Sequence, residues 1–124
     1  MQVYYAHAMC TYGTVTEKLE LQQIRCAFRG ARIINPAKYD SHPEKLADTV
    51  GFCFRLVEKS NAVVFSRLMG KVTSGVGKEV NHALRLGRPV YELQSGLPRL
   101  IKSPVKYLSR AGTRVLYKRW RLSL

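Results

Sequence analysis

Glu79 is the residue whose type and position point most directly to chemistry. It follows a glycine-rich turn, Thr73–Gly77, and opens a predicted helix of about 10 residues that Gly87 would end. Free backbone N–H groups and the positive end of a helix dipole meet at such a turn, which therefore predicts an anion site. Glycine there would let the backbone approach a phosphate or a sugar. The backbone contacts would come from Thr73, Ser74, Gly75, Val76 and Gly77.

Two roles are open for Glu79 itself. A carboxylate in the first helical turn is held ionised by the dipole, and it could attack the anomeric carbon of a nucleoside. Cleavage of a glycosidic bond develops positive charge on the sugar, which an anion stabilises. The alternative is that Glu79 only complements the helix dipole, as acids in a first turn often do. His7, at the end of the predicted first strand, could bind the ligand or belong to the core.

No metal or cofactor is expected from the sequence. The three histidines and three cysteines show neither metal-ligand spacing nor a CxxC pair. The segment GVGKEV is not a phosphate-binding Walker loop, because Lys78 is followed by Glu79 instead of Ser or Thr.

Strand and helix patterns alternate along residues 3–93. Apolar and aromatic residues fill Val3–Met9, as in a strand that is covered on both faces. Thr14 and Glu17 form a T-x-x-E capping box that predicts a first helix, and Gly30 would end it. Such alternation predicts an α/β protein with a parallel sheet and helices on both faces.

The second helix is predicted from a capping box at Ser41 and Glu44. Its core-facing stripe would consist of Leu46, Val50, Cys53 and Val57. Further strands are predicted at residues 31–36, 61–68 and 89–93.

Length and charge bound the remaining possibilities. A chain of 124 residues predicts one domain, and the absence of a long apolar run or an apolar leader predicts a cytoplasmic protein that does not enter a membrane. The net charge is +13, and residues 93–124 hold eight basic residues and no acidic one. This basic C-terminal segment, 94–124, could bind nucleic acid. Its stretch TRVLYKRWRL alternates like an edge strand, with a helix or a tail as alternatives.

The sequence also resembles the nucleoside 2-deoxyribosyltransferase-like family, which includes the deoxynucleoside 5'-monophosphate N-glycosidases. The resemblance rests on VYYAHAM, IINP, NAVVF and SGVGKEVNHALRLGRPVYEL, within residues 3–93. It implies a flavodoxin-like or Rossmann-like three-layer sandwich with a mostly parallel sheet of about five strands. It further implies that Glu79 captures the deoxyribosyl group, and that the protein forms dimers or larger oligomers.

The resemblance assigns roles to other positions as well. A tyrosine on the first strand would match Tyr5 or Tyr4, and the turn before Glu79 would face the 5' end of the sugar. An aspartate that passes a proton to the leaving base would fall at Cys53, and the available acid nearby is Asp48, over a turn earlier.

Taken together, these patterns predict a nucleoside- or nucleotide-binding protein that cleaves or transfers at the N-glycosidic bond. Glu79 would be the nucleophile and Asp48 the acid, with Tyr5 and His7 on the floor of the site. The alternatives are a non-catalytic nucleotide-binding sensor and a nucleic-acid-binding protein that uses the basic C-terminal segment.

Overall fold

A five-stranded sheet organises the chain in the computed structural model, which describes residues 1–124. The strands are β1 Gln2–Ala6, β2 Arg32–Ile34, β3 Ala62–Phe65, β4 Val90–Gln94 and β5 Leu97–Ile101. Their order is β2-β1-β3-β4-β5, in which β5 alone runs antiparallel to its neighbour. The prediction of an α/β fold with a mostly parallel five-stranded sheet is confirmed, and the arrangement is consistent with a Rossmann-like fold.

Five helices surround this sheet. They are α1 Val15–Ala27, α2 Pro43–Ala47, α3 Thr49–Glu58, α4 Ser74–Arg85 and α5 Arg110–Leu122, with short 3-10 helices at Met9–Thr11 and Pro36–Tyr39. None of them combines the length and the apolar character that crossing a bilayer requires.

Alternation along β1 separates the core into two layers. Tyr4 packs with residues of α3 and α4 on one face of the sheet, whereas Tyr5 packs with Ile24 of α1 on the other. Both tyrosines are fully buried, because helices cover the central strands on both sides. Consecutive residues of β1 therefore lie on opposite faces of the sheet, in two different hydrophobic clusters.

The first helix begins where the capping box predicts, since the Thr14 hydroxyl accepts a hydrogen bond from the Glu17 backbone N–H. The predicted second helix is wrong in one respect, because it is two helices. His42 instead of Ser41 caps α2, and Asp48 starts α3 by accepting from the backbone N–H of Gly51 at 3.0 Å. This break turns two residues of the predicted core stripe outward, Leu46 and Val50, which are 71% and 45% exposed.

The C-terminal segment forms a hairpin strand and a helix. The two-residue turn Ser95–Gly96 has positive φ at both positions, as a tight β-hairpin turn requires, and it leads into β5 at the sheet edge. For TRVLYKRWRL the prediction of an edge strand is wrong and the alternative of a helix is correct, because this stretch lies within α5. Ser109 caps α5 through its hydroxyl, which accepts from the Gly112 N–H.

Candidate functional site

Glu79 lies deeper in its helix than the sequence predicts. Thr73 is the N-cap of α4, so Ser74 is the first helical residue and Glu79 falls in the second turn. The first turn holds no acidic residue. The expected stabilisation of Glu79 by the helix dipole is therefore wrong, because that effect fades beyond the first turn.

The surroundings of Glu79 come from β1 and α3. The Tyr4 hydroxyl and the Cys53 thiol both lie beside its carboxyl group, on the sheet face that α3 and α4 cover. Burial raises the pKa of Glu79 from 4.5 to about 7, while the Tyr4 hydroxyl, the Cys53 thiol and the charge of Lys45 act in the opposite direction. Glu79 as a whole residue is half-buried, while its carboxyl group lies among the side chains whose packing raises its pKa.

The hydroxyl group of Tyr4 lies beside Glu79 without a hydrogen-bond partner of good geometry. Its hydroxyl oxygen is buried and makes no hydrogen bond of good geometry, although Glu79 and Cys53 are next to it. Burial, followed by the charge of Glu79, raises the pKa of Tyr4 well above its ordinary value. An orphaned hydroxyl is therefore available to donate toward the carboxylate or to a bound ligand.

Lys45 is a buried cation of the same region, only 3% exposed. Its Nζ donates to the Pro36 carbonyl and to Asp40 Oδ1, both at 2.7 Å. The ammonium group also lies 5.4 Å from the centre of the Tyr12 ring. Lys45 is directed inward from α2, where its charge lowers the pKa of Glu79.

Two further groups near Glu79 stay protonated at neutral pH. Burial, followed by the charge of Glu79, raises the pKa of Tyr12 above its ordinary value and that of Cys53 to about 12. Cys53 is thus a neutral thiol and not a thiolate nucleophile. We refer to Tyr4, Tyr12, Lys45, Cys53 and Tyr117, gathered around Glu79, as the Glu79 cluster.

Tyr117 joins this cluster from α5. Burial raises its pKa above the ordinary value, and its hydroxyl accepts a hydrogen bond from the backbone N–H of Met9 at 3.2 Å. Leu116, beside it, packs against Ala8 and Leu68 in the loops that follow β1 and β3. The C-terminal helix therefore covers the ends of the two central strands, next to Glu79.

The structure places Tyr5 on the opposite face of the sheet from Glu79. His7 stacks on Tyr5 just beyond the end of β1, where the His7 ring also lies 4.7 Å from the ring of Tyr12. The rings of Tyr5 and His7 stack at 3.6 Å, and the Tyr5 hydroxyl donates to Glu20 Oε1 at 2.5 Å. His7 Nε2 lies 2.7 Å from Glu17 Oε2, and burial lowers the pKa of His7. Every polar group of this cluster finds a partner within α1 or β1, as in a structural network.

Asp48 is also separate from Glu79. It is exposed, and one carboxylate oxygen caps α3 through the Gly51 N–H. None of the groups that influence the pKa of Glu79 is a second carboxyl.

The glycine-rich turn contacts the C-terminal segment of the protein. The Ser74 N–H donates to Thr113 Oγ1 at 3.0 Å, and Tyr107 lies directly on Gly77, where a Cβ atom would come within 2.3 Å of the Tyr107 Cβ. Gly77 thus permits the close approach of a tyrosine. Thr73, Ser74, Val76 and Gly77 are buried, and Gly75 is exposed with open space before it.

The main surface clefts of the protein lie away from Glu79. One of them, of about 360 Å³ beside β2, is lined by Arg32 and Arg55 together with the aromatic rings of Tyr39 and Phe52. Neither Glu79 nor any other residue of the Glu79 cluster lines this cleft, the one beside β5 or the one beside α1. The structure shows no group of His, Cys, Asp and Glu residues that could hold a metal ion.

Sequence reasoning missed Tyr12, Lys45 and Tyr117, and it named Tyr4 only as the alternative to Tyr5. Alternation along β1 separates Tyr4 from Tyr5, but it does not say which of them shares a face with Glu79, and no sequence pattern marks Tyr12, Lys45 or Tyr117. Comparisons of the chain with protein-family models, with curated proteins and with solved structures gave no match.

Proposed function

We propose that the protein binds a nucleoside or a nucleotide at the Glu79 cluster and cleaves its N-glycosidic bond, or transfers the sugar from it. The observation that carries this proposal is a carboxyl group whose pKa is raised by burial to about 7, beside a tyrosine hydroxyl that lacks a hydrogen bond of good geometry. At pH 7 roughly half of such groups are ionised and able to act as nucleophiles. The low polarity of the surroundings strengthens the attraction between the carboxylate and a developing oxocarbenium ion.

In the proposed first step, a Glu79 carboxylate oxygen forms a bond to C1' of the sugar. The C1'–N bond breaks, and its electron pair leaves with the base, which takes up one proton from solvent. In the second step, water or the nitrogen of another base attacks C1' and loses a proton. The C1'–O bond to Glu79 breaks in the same displacement, and the carboxylate is regenerated.

The Tyr4 hydroxyl would orient the nucleophile. It is a protonated donor next to Glu79, and it lowers the pKa of that carboxyl group. The proposal requires that Tyr117 and the segment around it yield to admit a substrate, since they cover this end of the sheet.

The topology agrees with this location. A strand order of 2-1-3-4-5 is that of flavodoxin-like sheets, in which ligands bind beyond the strand ends where the order reverses, here between β1 and β3. Tyr12 lies in the loop after β1, at this point. A flavodoxin-like fold and a homodimer both remain part of the proposal, and sedimentation equilibrium tests the dimer.

A second candidate is a binding module without turnover. It is favoured by the composition of the Glu79 cluster, which offers no carboxyl group as a proton donor to the leaving base. The Cys53 thiol beside Glu79 has a pKa of about 12 and gives up its proton poorly.

The test is incubation with a panel of deoxynucleosides, ribonucleosides and their 5'-monophosphates, with release of free base followed by chromatography. We expect release by the wild-type protein, loss of release in Glu79→Gln, and retention in Glu44→Gln, which removes an exposed carboxyl of α2. Release that persists in Glu79→Gln would exclude Glu79 as the nucleophile.

Thermal unfolding of the same mixtures separates the two candidates. A ligand that raises the unfolding temperature without yielding free base identifies a binding module. If no member of the panel stabilises the protein or releases base, both candidates are wrong.

A further inference from the structure

Four basic residues form one line along α5. Arg110, Arg114, Lys118 and Arg121 follow one another at i, i+4, i+8 and i+11, which places them on a single side of the helix. All four are exposed. At about 1.5 Å per residue, the line extends over roughly 16 Å. We call these four residues the basic stripe.

No acidic side chain neutralises the basic stripe. The four ion pairs of the protein all join residues between positions 7 and 92. Residues 93–124 carry eight basic side chains and no acidic one. The positive potential on this side of the molecule is therefore uncompensated, and it favours an anionic partner.

The other side of α5 fixes the direction in which the stripe faces. Thr113, Leu116, Tyr117 and Trp120, at i, i+3, i+4 and i+7, are buried or half-buried. Leu116, Tyr117 and Trp120 pack into one hydrophobic cluster, and Thr113 accepts from the Ser74 N–H. Because the helix is anchored, its cations are arranged before any partner arrives, which reduces the entropy cost of binding.

We propose that the basic stripe binds the phosphate backbone of a nucleic acid. Phosphates follow one another at about 3.4 Å of axis per strand, so a linear row of four cations over roughly 16 Å can contact successive charges of one strand. Contacts of this kind depend on charge and not on base sequence. This surface is separate from the proposed glycosidic chemistry and does not depend on it.

A membrane surface fits the helix less well. Interfacial helices insert a broad apolar face that carries large side chains. In α5 the aromatic residues Tyr117 and Trp120 are turned toward the protein, and Val115 and Leu122 are the large apolar side chains left exposed.

The test compares the full-length protein with the variant R110Q/R114Q/K118Q/R121Q for binding to fluorescent 20-nucleotide single strands and duplexes, at 50 to 200 mM salt. Four phosphate contacts predict a slope of about −3.6 in log K against log salt for a duplex, or a loss of about 150-fold over this range. For single strands the slope is about −2.8. In the variant we expect the slope to approach zero. Circular dichroism and the fluorescence of Trp120, the single tryptophan, verify that α5 remains docked.

A matched control removes the same charge elsewhere. K18Q/R25Q/R29Q/K38Q changes four exposed basic residues outside α5, and we expect it to keep the wild-type slope. The proposal is wrong if this control loses as much binding as the stripe variant, because net charge alone would then explain the affinity. It is also wrong if the wild-type protein does not bind oligonucleotides at 50 mM salt.

Two further measurements test whether charge alone is required and whether a membrane is the partner. Replacing the three arginines of the stripe by lysine keeps the charges, so binding is expected to persist. Vesicles of phosphatidylserine and phosphatidylcholine test a membrane, and binding to vesicles but not to oligonucleotides would overturn the proposal. Glu79→Gln is expected to bind oligonucleotides normally, so failure of one proposal does not affect the other.

Discussion

Replacing Glu79 by glutamine should make the stability of the fold less dependent on pH. Burial raises the pKa of Glu79 from 4.5 to about 7. Between these values the native protein holds a proton that the unfolded chain releases. The proton on Glu79 therefore stabilises the native state relative to the unfolded chain. This contribution to the free energy of unfolding is fully present below pH 4.5 and is lost as the pH rises through 7. At 1.36 kcal/mol for each tenfold change in acidity, ionised Glu79 costs the native state about 3 kcal/mol at pH 8. Partial exposure of the side chain makes this the upper end.

Glutamine resembles the protonated carboxyl in shape and carries no charge. We expect Glu79→Gln to be more stable than the wild-type protein at pH 8, with a difference that grows by about 2 to 3 kcal/mol between pH 5 and pH 8. Urea unfolding at both pH values measures it, because all other titrating groups are common to the two proteins and cancel. Glu44→Gln, on the exposed side of α2, should show no such growth. An equal difference between Glu79→Gln and wild type at both pH values would refute the reasoning.

Three other substitutions test the neighbours of Glu79. Tyr4→Phe removes a buried hydroxyl without a good hydrogen bond, so at pH 5, where Glu79 is protonated, the free energy of unfolding should stay constant or rise by up to ~1 kcal/mol. At pH 8 the same substitution removes a group that favours ionised Glu79, so this gain should shrink or reverse, as urea unfolding at both pH values measures. Gly77→Ala should destabilise the fold by about 1 to 3 kcal/mol, because its Cβ would displace Tyr107, whereas Gly75→Ala meets open space and should stabilise α4 by up to ~1 kcal/mol. Denaturant titrations of the two alanine variants at pH 7 measure this contrast, and equal effects would contradict the packing of Tyr107.

The elements that sequence analysis predicted correctly are those with local signals. Thr14 caps α1 through its own side chain, and Gly87 follows the end of α4 with a φ of +73° that suits glycine. Alternating strands and helices also predict parallel pairing, since a crossover needs a helix between neighbours. These signals depend on residues a few positions apart, so no knowledge of the tertiary structure is needed to interpret them.

The face on which each residue of β1 lies could not be predicted in the same way. A strand buried on both sides is a continuous apolar run, and it contains no polar positions that mark a solvent face. Tyr4 and Tyr5 are therefore equivalent in the sequence. Which of them meets Glu79 depends on the side of the sheet that receives α4, and this follows from packing of the whole chain.

The break between α2 and α3 illustrates a competition between local signals. The apolar spacing through Leu46 and Val50 predicts one helix, but the Asp48 side chain accepts from the Gly51 N–H and starts a new one. Lys45, near the end of α2, is turned inward, although lysine is among the residues least often buried. The hydrogen-bond partners of Lys45 are Pro36, in the 3-10 helix Pro36–Tyr39, and Asp40, at the end of that helix. No sequence motif marks either of them.

The C-terminal helix α5 could not be distinguished from a strand in the sequence, and its packing affects the environment of Glu79. The periodicity of its inward residues, Thr113, Leu116, Tyr117 and Trp120, is helical, and the Ser109 cap supports it, but the alternation of TRVLYKRWRL supports a strand equally well. Only tertiary contacts distinguish the two. The same contacts bring Tyr117 toward Glu79 and cover the loops after β1 and β3, which excludes water from the carboxyl group. A glutamate with a pKa of about 7 is therefore a property of the folded chain, since it arises from burial by segments far apart in sequence.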